Sequence, residues 1–494
     1  MATKKAAKKA TKKAAKKTTR GKAKGELRIR MYRVGFGDFF LMTVPSDEGP
    51  QHILIDCGVT PGKTKKGDIG TIKDAVADMA KETGKKLALI IVTHRHQDHI
   101  IGFSRAAESW KDFKVGALWM SFWETEYDPD EKKGQKKSMA SDFQDELTGL
   151  ALNMQSHLAA RGTDDPDMDE VMGMLQNATG VDHAAFAAAG GKADGKPGKG
   201  GGTNAASLTF LKTGLGIEPQ YYAKGDKPKL PKALKDAGLT AEILGPPPAD
   251  ALDFMKLMDL KKGVGQYLGE DGGGSGSKFK PFPDSSCGAA ADYTETAFRA
   301  FGKGTANAAL EAAIKAAQPD LLFTAAKSLD NFLNNQSLVV LFTFNEKKLL
   351  FAGDAQGGNW EYWMFGGTPE KSPSVEQIVK GSKTILGNLD FYKMGHHGST
   401  NATPVSAVEA MGGNFVTMCS TQEDSFGTVA NQSEVPRGPL LDALGKKCPI
   451  VRSDQIPVTV PGNEVPAIKG APKVLPKPKH GRFEKGPIYV DYFP

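Results

Sequence analysis

From Glu26 onward the apolar residues fall into short runs punctuated by turn-forming text. Leu27–Val34 alternates apolar with polar or basic positions and predicts a strand; Gly35-Phe36-Gly37-Asp38 makes a turn, and Phe39–Val44 resumes an apolar run. His52–Asp56 reads as a further strand, closed by Cys57-Gly58, so the opening predicts a β-meander. Ile72–Lys81 carries apolar residues at helical spacing, with Thr71 as its N-cap. Leu87–Val92 is unbroken apolar text, the pattern of a buried strand, and it delivers Thr93-His94-Arg95-His96-Gln97-Asp98-His99.

Strand-like text returns at Ala241–Leu244, at Ser337–Phe344, at Leu349–Ala352 running into Gly353-Asp354, and at Asp390–Met394 running into Gly395-His396-His397-Gly398-Ser399-Thr400. Two stretches, about 120–205 and 250–320, read as insertions. The first mixes helical text (Ser138–His157, Asp167–Leu175) with a Gly/Lys loop from Gly190 to Gly202; the second holds a Gly272–Ser277 linker and an Ala-rich helix over Thr305–Ala317. The last thirty residues are Pro- and Lys-rich and are expected to run extended on the surface.

Of the 494 residues, 39% are hydrophobic and 24% charged, enough for a sizeable core. No run approaches the eighteen apolar residues of a membrane span, and Lys4–Lys24 has no apolar segment of the secretory kind, so neither a membrane partner nor a signal peptide is expected. Cys57, Cys287, Cys419 and Cys448 are far apart without a CxxC spacing, which argues for a reducing, cytoplasmic setting.

Charge divides the chain sharply. Residues 1–24 hold Lys4, Lys5, Lys8, Lys9, Lys12, Lys13, Lys16, Lys17, Lys22, Lys24 and Arg20 and no acid; taking those eleven charges from the net +7 leaves the body at −4. The four-residue repeat stacks lysine on lysine at i, i+4, which opposes a helix, so a disordered tail is expected that orders only against a polyanion. It resembles the tails of linker histones and bacterial histone-like proteins, which implies non-specific nucleic-acid binding and nucleoid association in a bacterial cytoplasm; a merely solubilising tail is the alternative.

The strongest chemical signal is His94-x-His96-x-Asp98-His99, four imidazole or carboxylate groups in six residues at a strand end. Zinc and related divalent ions take these ligands. Asp354, after its strand, is placed to bridge two ions, and His397 or its neighbour His396 to complete a shell.

With these residues assembled, the chain resembles the metallo-β-lactamase-fold hydrolases. Within them it is most similar to the hydrolase domain of the bacterial DNA-uptake competence channel (ComEC type). The likeness rests on Val34–Asp38, Leu54–Gly58, Asn334–Ser337, Gly353-Asp354, His396–Ser399 and Arg452–Asp454, and spans Leu27–Pro457 with both insertions interrupting it. The resemblance implies an α/β fold, an αββα four-layer sandwich over 26–465, flanked by the tail (1–25) and a C-terminal extension (466–494). It puts His94 and His96 on a first ion, Asp98, His99 and His397 on a second, and Asp354 between them. Asp56 would orient the metal loop, with Asp38 behind it. Many members have one more histidine between the first cluster and the bridging aspartate. Here that stretch offers only His157 and His183, both within insertion-like text, so Asn334 or Asn335 is expected near the first ion. An amide oxygen suits zinc less than imidazole does, so the first site should be weaker, with manganese competing against zinc.

Two cations sharing a water lower its pKa toward neutrality and neutralise charge growing on a phosphodiester. Asp98 and His396 are the expected catalytic side chains, His396 by contacting a phosphate oxygen or protonating the leaving group, and Ser399 and Thr400 are expected to hold a phosphate. The expected activity is that of a phosphodiesterase or nuclease. The alternatives are a hydrolase of a small ester, thioester, lactone or cyclic nucleotide, and a non-catalytic nucleic-acid-binding protein with a structural metal. Lys393 receives no role.

Overall fold

The computed structural model describes residues 25–60, 72–126, 138–161, 166–181, 204–255, 326, 329–367, 375–427, 429, 433–460 and 463–494. The basic tail, Thr71, His183, the Gly/Lys loop, the Gly272–Ser277 linker and the Ala-rich Thr305–Ala317 segment lie outside the described residues, as does the side chain of His157.

The chain is mixed α/β. Its strands are β1 (Arg28–Tyr32), β2 (Phe40–Val44), β3 (Gln51–Ile55), β4 (Lys86–Leu87), β5 (Leu89–Val92), β6 (Lys114–Val115), β7 (Leu118–Ser121), β8 (Pro219–Tyr222) and β9 (Thr240–Gly245), followed by β10 (Val339–Phe344), β11 (Lys347–Phe351), β12 (Phe391–Lys393), β13 (Val416–Cys419), β14 (Ile450–Arg452), β15 (Val458–Val460), β16 (Asn463–Val465), β17 (Arg482–Lys485) and β18 (Tyr489–Phe493). An eight-stranded sheet runs β17-β18-β1-β2-β3-β5-β7-β8 and a six-stranded one β14-β13-β12-β11-β10-β9. In both, one half is antiparallel and the other parallel: β3-β5-β7-β8 in the larger, β11-β12-β13-β14 in the smaller.

Alternation along the strands decides what lies where. Ile29, Met31, Ile53, Leu89 and Ile91 of the large sheet share one apolar cluster with Val340, Phe342, Phe351, Phe391 and Val416 of the small one. The opposite faces are covered by helices. Leu54, Ile90 and Val92 meet Val76 and Met79 of the helix Ile72–Thr83; Leu350 and Tyr392 meet Trp360 and Trp363 of the helix Gly357–Met364. Strands buried on both faces read as continuous apolar text, which is why β5 stood out in the sequence.

The basic residue at the middle of β1 is buried: Arg30 donates to both carboxylate oxygens of Asp491 (2.8 and 2.9 Å) and to Asp78 (3.0 Å), and its guanidinium lies over the Tyr489 ring. The C-terminal run is not wholly a surface strap. Its end forms the hairpin β17–β18, and β18 pairs antiparallel with β1, burying Val490 and Tyr492. A bidentate pairing satisfies a buried guanidinium, so the acid at 491 is what allows this strand to seat beside Arg30.

His52 of β3 sits buried opposite Thr43, whose hydroxyl lies 3.1 Å from Nδ1. Burial outweighs the pull of Glu82 and, with Arg28 and Arg30 adding to it, lowers the imidazole pKa from 6.5 to about 4. The unfolded chain therefore binds this proton at higher pH than the folded one. Stability is complete above about pH 6.5 and is lost as the pH falls through about 4, by roughly 3 kcal/mol in all. In urea unfolding between about pH 7 and about pH 4, His52→Gln is expected to lose less stability than the parent by that margin. Parallel losses in the two proteins would contradict it.

Candidate metal centre

The carboxyl ends of the parallel strands converge, the place where open α/β sheets put their ligands. Asp56 follows β3, the loop 93–99 follows β5, Asp354 follows β11, His397 follows β12 and Ser420 follows β13.

The loop after β5 is fixed from below. Asp56, with φ +56°, accepts hydrogen bonds from Thr93 N (2.8 Å) and Thr93 Oγ1 (2.7 Å) and holds His99 Nδ1 at 2.8 Å. Asp38 N donates to Asp98 O, Cys57 N to His99 O and Gly58 N to Asp38 O, so three segments are laced together at the start of the helix Gln97–Arg105. Gly58 has to be glycine, because a Cβ there would collide with the backbone of Asp98 and His99.

Both central histidines are oriented the same way. His397 donates its Nδ1 hydrogen to Ser420 O (2.7 Å), and His99 offers Nδ1 to Asp56, so each turns Nε2 inward. His99 Nε2 lies 3.0 Å from Asp354 Oδ2; His397 Nε2 lies 3.4 Å from that oxygen and 3.1 Å from Asp98 Oδ2. One donor atom from each of Asp98, His99, Asp354 and His397 lies within 4.8 Å of the others, and all four residues are buried. Donors sharing a tetrahedral ion with bonds of about 2.1 Å stand roughly 3.4 Å apart, close to this spacing.

Electrostatics fit the same use. Burial disfavours charge on His397, yet Asp354 and Asp38 carry its pKa up to about 10; His99 is likewise held well above its ordinary value, against burial, by Asp354, Asp56 and Asp98. Asp98, against burial, is drawn down to about 2 by His99 and His397, and Asp354 well below its usual range by His99, His397 and Lys393. A divalent cation entering this cluster takes the place of the protons that balance the carboxylates.

His94 and His96 stand alongside, their rings 4.8 Å apart and the His94 ring 4.2 Å from that of His99. Burial holds the pKa of His94 well below the ordinary value and that of His96 at about 4, so both are neutral, as ligands must be. Their Nε2 atoms are buried without a hydrogen-bond partner, as are His99 Nε2 and Asp98 Oδ1. A bound ion is one explanation when several such atoms gather in one place. The donor set of two imidazoles and two carboxylates in Asp98, His99, Asp354 and His397 therefore fits a metal ion, with two further imidazoles beside it. No protein-family model matches the chain, and no curated protein does either.

The remaining expected residues take several places. Asp38 lies behind the pair, 3.6 Å from His397 Nδ1 and 3.7 Å from His99 Nδ1, and burial raises its pKa despite Lys393 and both histidines. Asp38, Asp56 and His99 form a second cluster of metal-capable groups, but the Lys393 ammonium is bonded to Asp38 and supplies the cation there. His396 and His397 have φ of +42° and +51°, a costly backbone for non-glycine residues of about 1–3 kcal/mol each, retained where the surroundings over-determine it. His396 is half-buried, its Nδ1 2.7 Å from Ser399 Oγ and 2.9 Å from Asn401 Oδ1. Ser399 donates to Asn401, so its hydroxyl is engaged within the turn rather than presented to a ligand; Thr400 is half-buried beside it. Asn335 does not face the metal loop. Its side chain accepts from Gln356 N and Asn359 N at the start of the helix Gly357–Met364. Asn334 donates to Asp330 (3.0 Å) and lies 3.3 Å from His396 Nε2.

Sequence reasoning missed Lys393, Asp330 and the reach of the first insertion. Lys393 is buried and donates to Gly353 O (3.0 Å) and toward Asp354 Oδ1 (3.4 Å). Its signal was a lysine inside a three-residue buried strand leading into His396-His397. From the insertion, Asn177 accepts from Asp98 N (3.3 Å) and Thr148 from Arg95. Arg95 also pairs both its Nε and Nη2 with Glu124 (2.7 and 2.8 Å), so the metal loop is tied to the helices beside it.

Proposed function

We propose that the protein is a metal-dependent hydrolase of phosphodiesters, with nucleic acid as the substrate class. The observation that carries the reading is the inward convergence of four oriented donors (Asp98, His99, Asp354, His397) next to the orphaned Nε2 atoms of His94 and His96. On this reading the two sheets with their helical covers form the αββα sandwich of metallo-β-lactamase-fold hydrolases. Asp98, His99 and His397 would hold one cation and His94 and His96 a second, with Asp354 within reach of both. Two bound divalent ions would supply Lewis-acid activation of water and neutralise charge on the phosphoryl oxygens. The chain supplies the rest. Asp56 and Ser420 fix the imidazoles in one tautomer, Lys393 fixes Asp38 and Asp354, and His396, its pKa lowered by burial, stands neutral at the rim as a hydrogen-bond acceptor.

The tail favours nucleic acid over a small substrate: eleven positive charges precede a body of net −4. Hydrolysis of a small ester, thioester, lactone or cyclic nucleotide is the second reading, favoured by the insertion helices that Asn177 and Arg95 bind against the metal loop. The test compares DNA, RNA and bis-p-nitrophenyl phosphate, with zinc or manganese, using the full chain and one lacking residues 1–24. Loss of the tail is expected to weaken nucleic-acid cleavage by about tenfold or more at low salt and progressively less as salt rises, leaving the small ester untouched. Turnover of the small ester alone, indifferent to the tail, favours the second reading; no turnover with any divalent ion overturns both and leaves a nucleic-acid-binding protein with a structural metal.

A further inference from the structure

The first cation position has two imidazoles, His94 and His96, and no third among the described residues. Of the chain's nine histidines, His52 lies in β3 away from the loop, His480 is exposed, and His99, His396 and His397 are engaged as described. Yet His96 Nε2 is not facing an apolar wall. Asp330 Oδ1 lies 3.7 Å from it, on a helical stretch over 329–335 that immediately follows the second insertion.

We propose that Asp330 is the missing ligand of that position, so that His94, His96 and Asp330 together hold a divalent cation beside Asp354; this rests on the metal-centre reading above. Two bonds of about 2.1 Å span 3.7 Å at an open angle, so one ion can reach His96 and Asp330 together, with the His94 ring 4.8 Å from that of His96 turning in to join them. The carboxylate is also pre-aimed. Asn334, one helical turn further on, donates Nδ2 to Asp330 Oδ2 at 3.0 Å and leaves Oδ1 as the atom that faces His96. That is the relation an outer hydrogen-bond partner bears to a metal-ligating carboxylate. It gives Asn334, expected near the first ion, a positioning part. The helix is held in place from the insertion side: Leu329, Phe332 and Leu333 pack in one cluster with Leu147, Met154 and Leu175 of the first insertion and with Trp123. The insertions thus deliver a ligand as well as flanking the loop. A carboxylate oxygen in place of an imidazole makes the donor set harder, which favours manganese over zinc at this position relative to the other.

The test is metal stoichiometry and affinity, by equilibrium dialysis with elemental analysis and by the electron paramagnetic resonance signal of bound manganese, on the full chain. The parent is expected to bind two manganese ions. Asp330→Asn, isosteric and able to keep its contact with Asn334, and Asp330→Ala are both expected to keep one ion and bind the other about 100-fold more weakly. Asp330→His is expected to restore the second ion and to move its preference toward zinc. His96→Ala serves as the reference for a lost first ion. If His96→Ala loses an ion while both Asp330 variants bind two as tightly as the parent, Asp330 is no ligand and the two-ion reading stands. If the parent binds fewer than two ions, or His96→Ala binds like the parent, the first position does not exist and the proposal falls together with that reading.

Discussion

Asp354→Asn is expected to abolish hydrolysis, by roughly a thousandfold or more in kcat, with the fold intact. The carboxylate stands 3.0 Å from His99 Nε2 and 3.4 Å from His397 Nε2, and its other oxygen accepts from His396 N (3.1 Å). Asparagine preserves the shape and the contact of its backbone N–H with Ser337. It removes the negative charge on which cations at both positions would depend. Circular dichroism and a urea titration show whether the variant is folded; turnover of bis-p-nitrophenyl phosphate and metal content report the effect. A folded variant that keeps more than a tenth of the parent's activity contradicts the role given to Asp354.

Lys393→Met is expected to cost about 3–5 kcal/mol of stability, the range for breaking a buried ion pair by removing one partner. The ammonium is bonded to Asp38 and reaches Gly353 O and Asp354, and burial together with those carboxylates leaves no water to replace it. Its pKa, despite burial, is raised by Asp38 and Asp354, so it remains charged at any physiological pH. Combining Asp38→Asn with Lys393→Met removes both charges, and the double variant is expected to recover at least half of the loss. Urea unfolding at neutral pH measures all three proteins. A single variant within 1 kcal/mol of the parent, on the order of a surface substitution, would show that the pair does not carry the contact between β12 and the Asp38 turn.

What could be read from the sequence, and what could not, follows from where each residue's partners lie. The loop 94–99 was legible because its imidazoles and carboxylate are adjacent in sequence and sit at the end of a strand with no polar residue, Leu89–Val92. Asp354 and His397 were legible for the same reason, each closing an apolar run that joins the parallel half of a sheet. Lys393 and Arg30 were not, since a lone basic residue in a strand looks like a solvated position until its carboxylate is known, and those carboxylates are Asp38 and Asp491. Asp330 was hidden by its neighbourhood: it follows the second insertion, and only the nearness of its Oδ1 to His96 Nε2, 3.7 Å, singles it out. Asn335 went wrong through the opposite error, a polar residue near the site whose side chain serves a helix start instead. Ser399 was read as open to a phosphate because the tight turn that engages it depends on two successive left-handed residues.

The pairing of β18 with β1 has a consequence for synthesis. Arg30 meets Asp491 across a separation of 461 residues, so β1 acquires its outer neighbour only long after it is made. At 5–20 residues per second a ribosome needs roughly half a minute or more to cover that distance. Throughout that interval the nascent β1 presents an open edge and a guanidinium without Asp491. A product cut short before Arg482 never acquires them, and it keeps an adhesive flank where this chain has a hairpin.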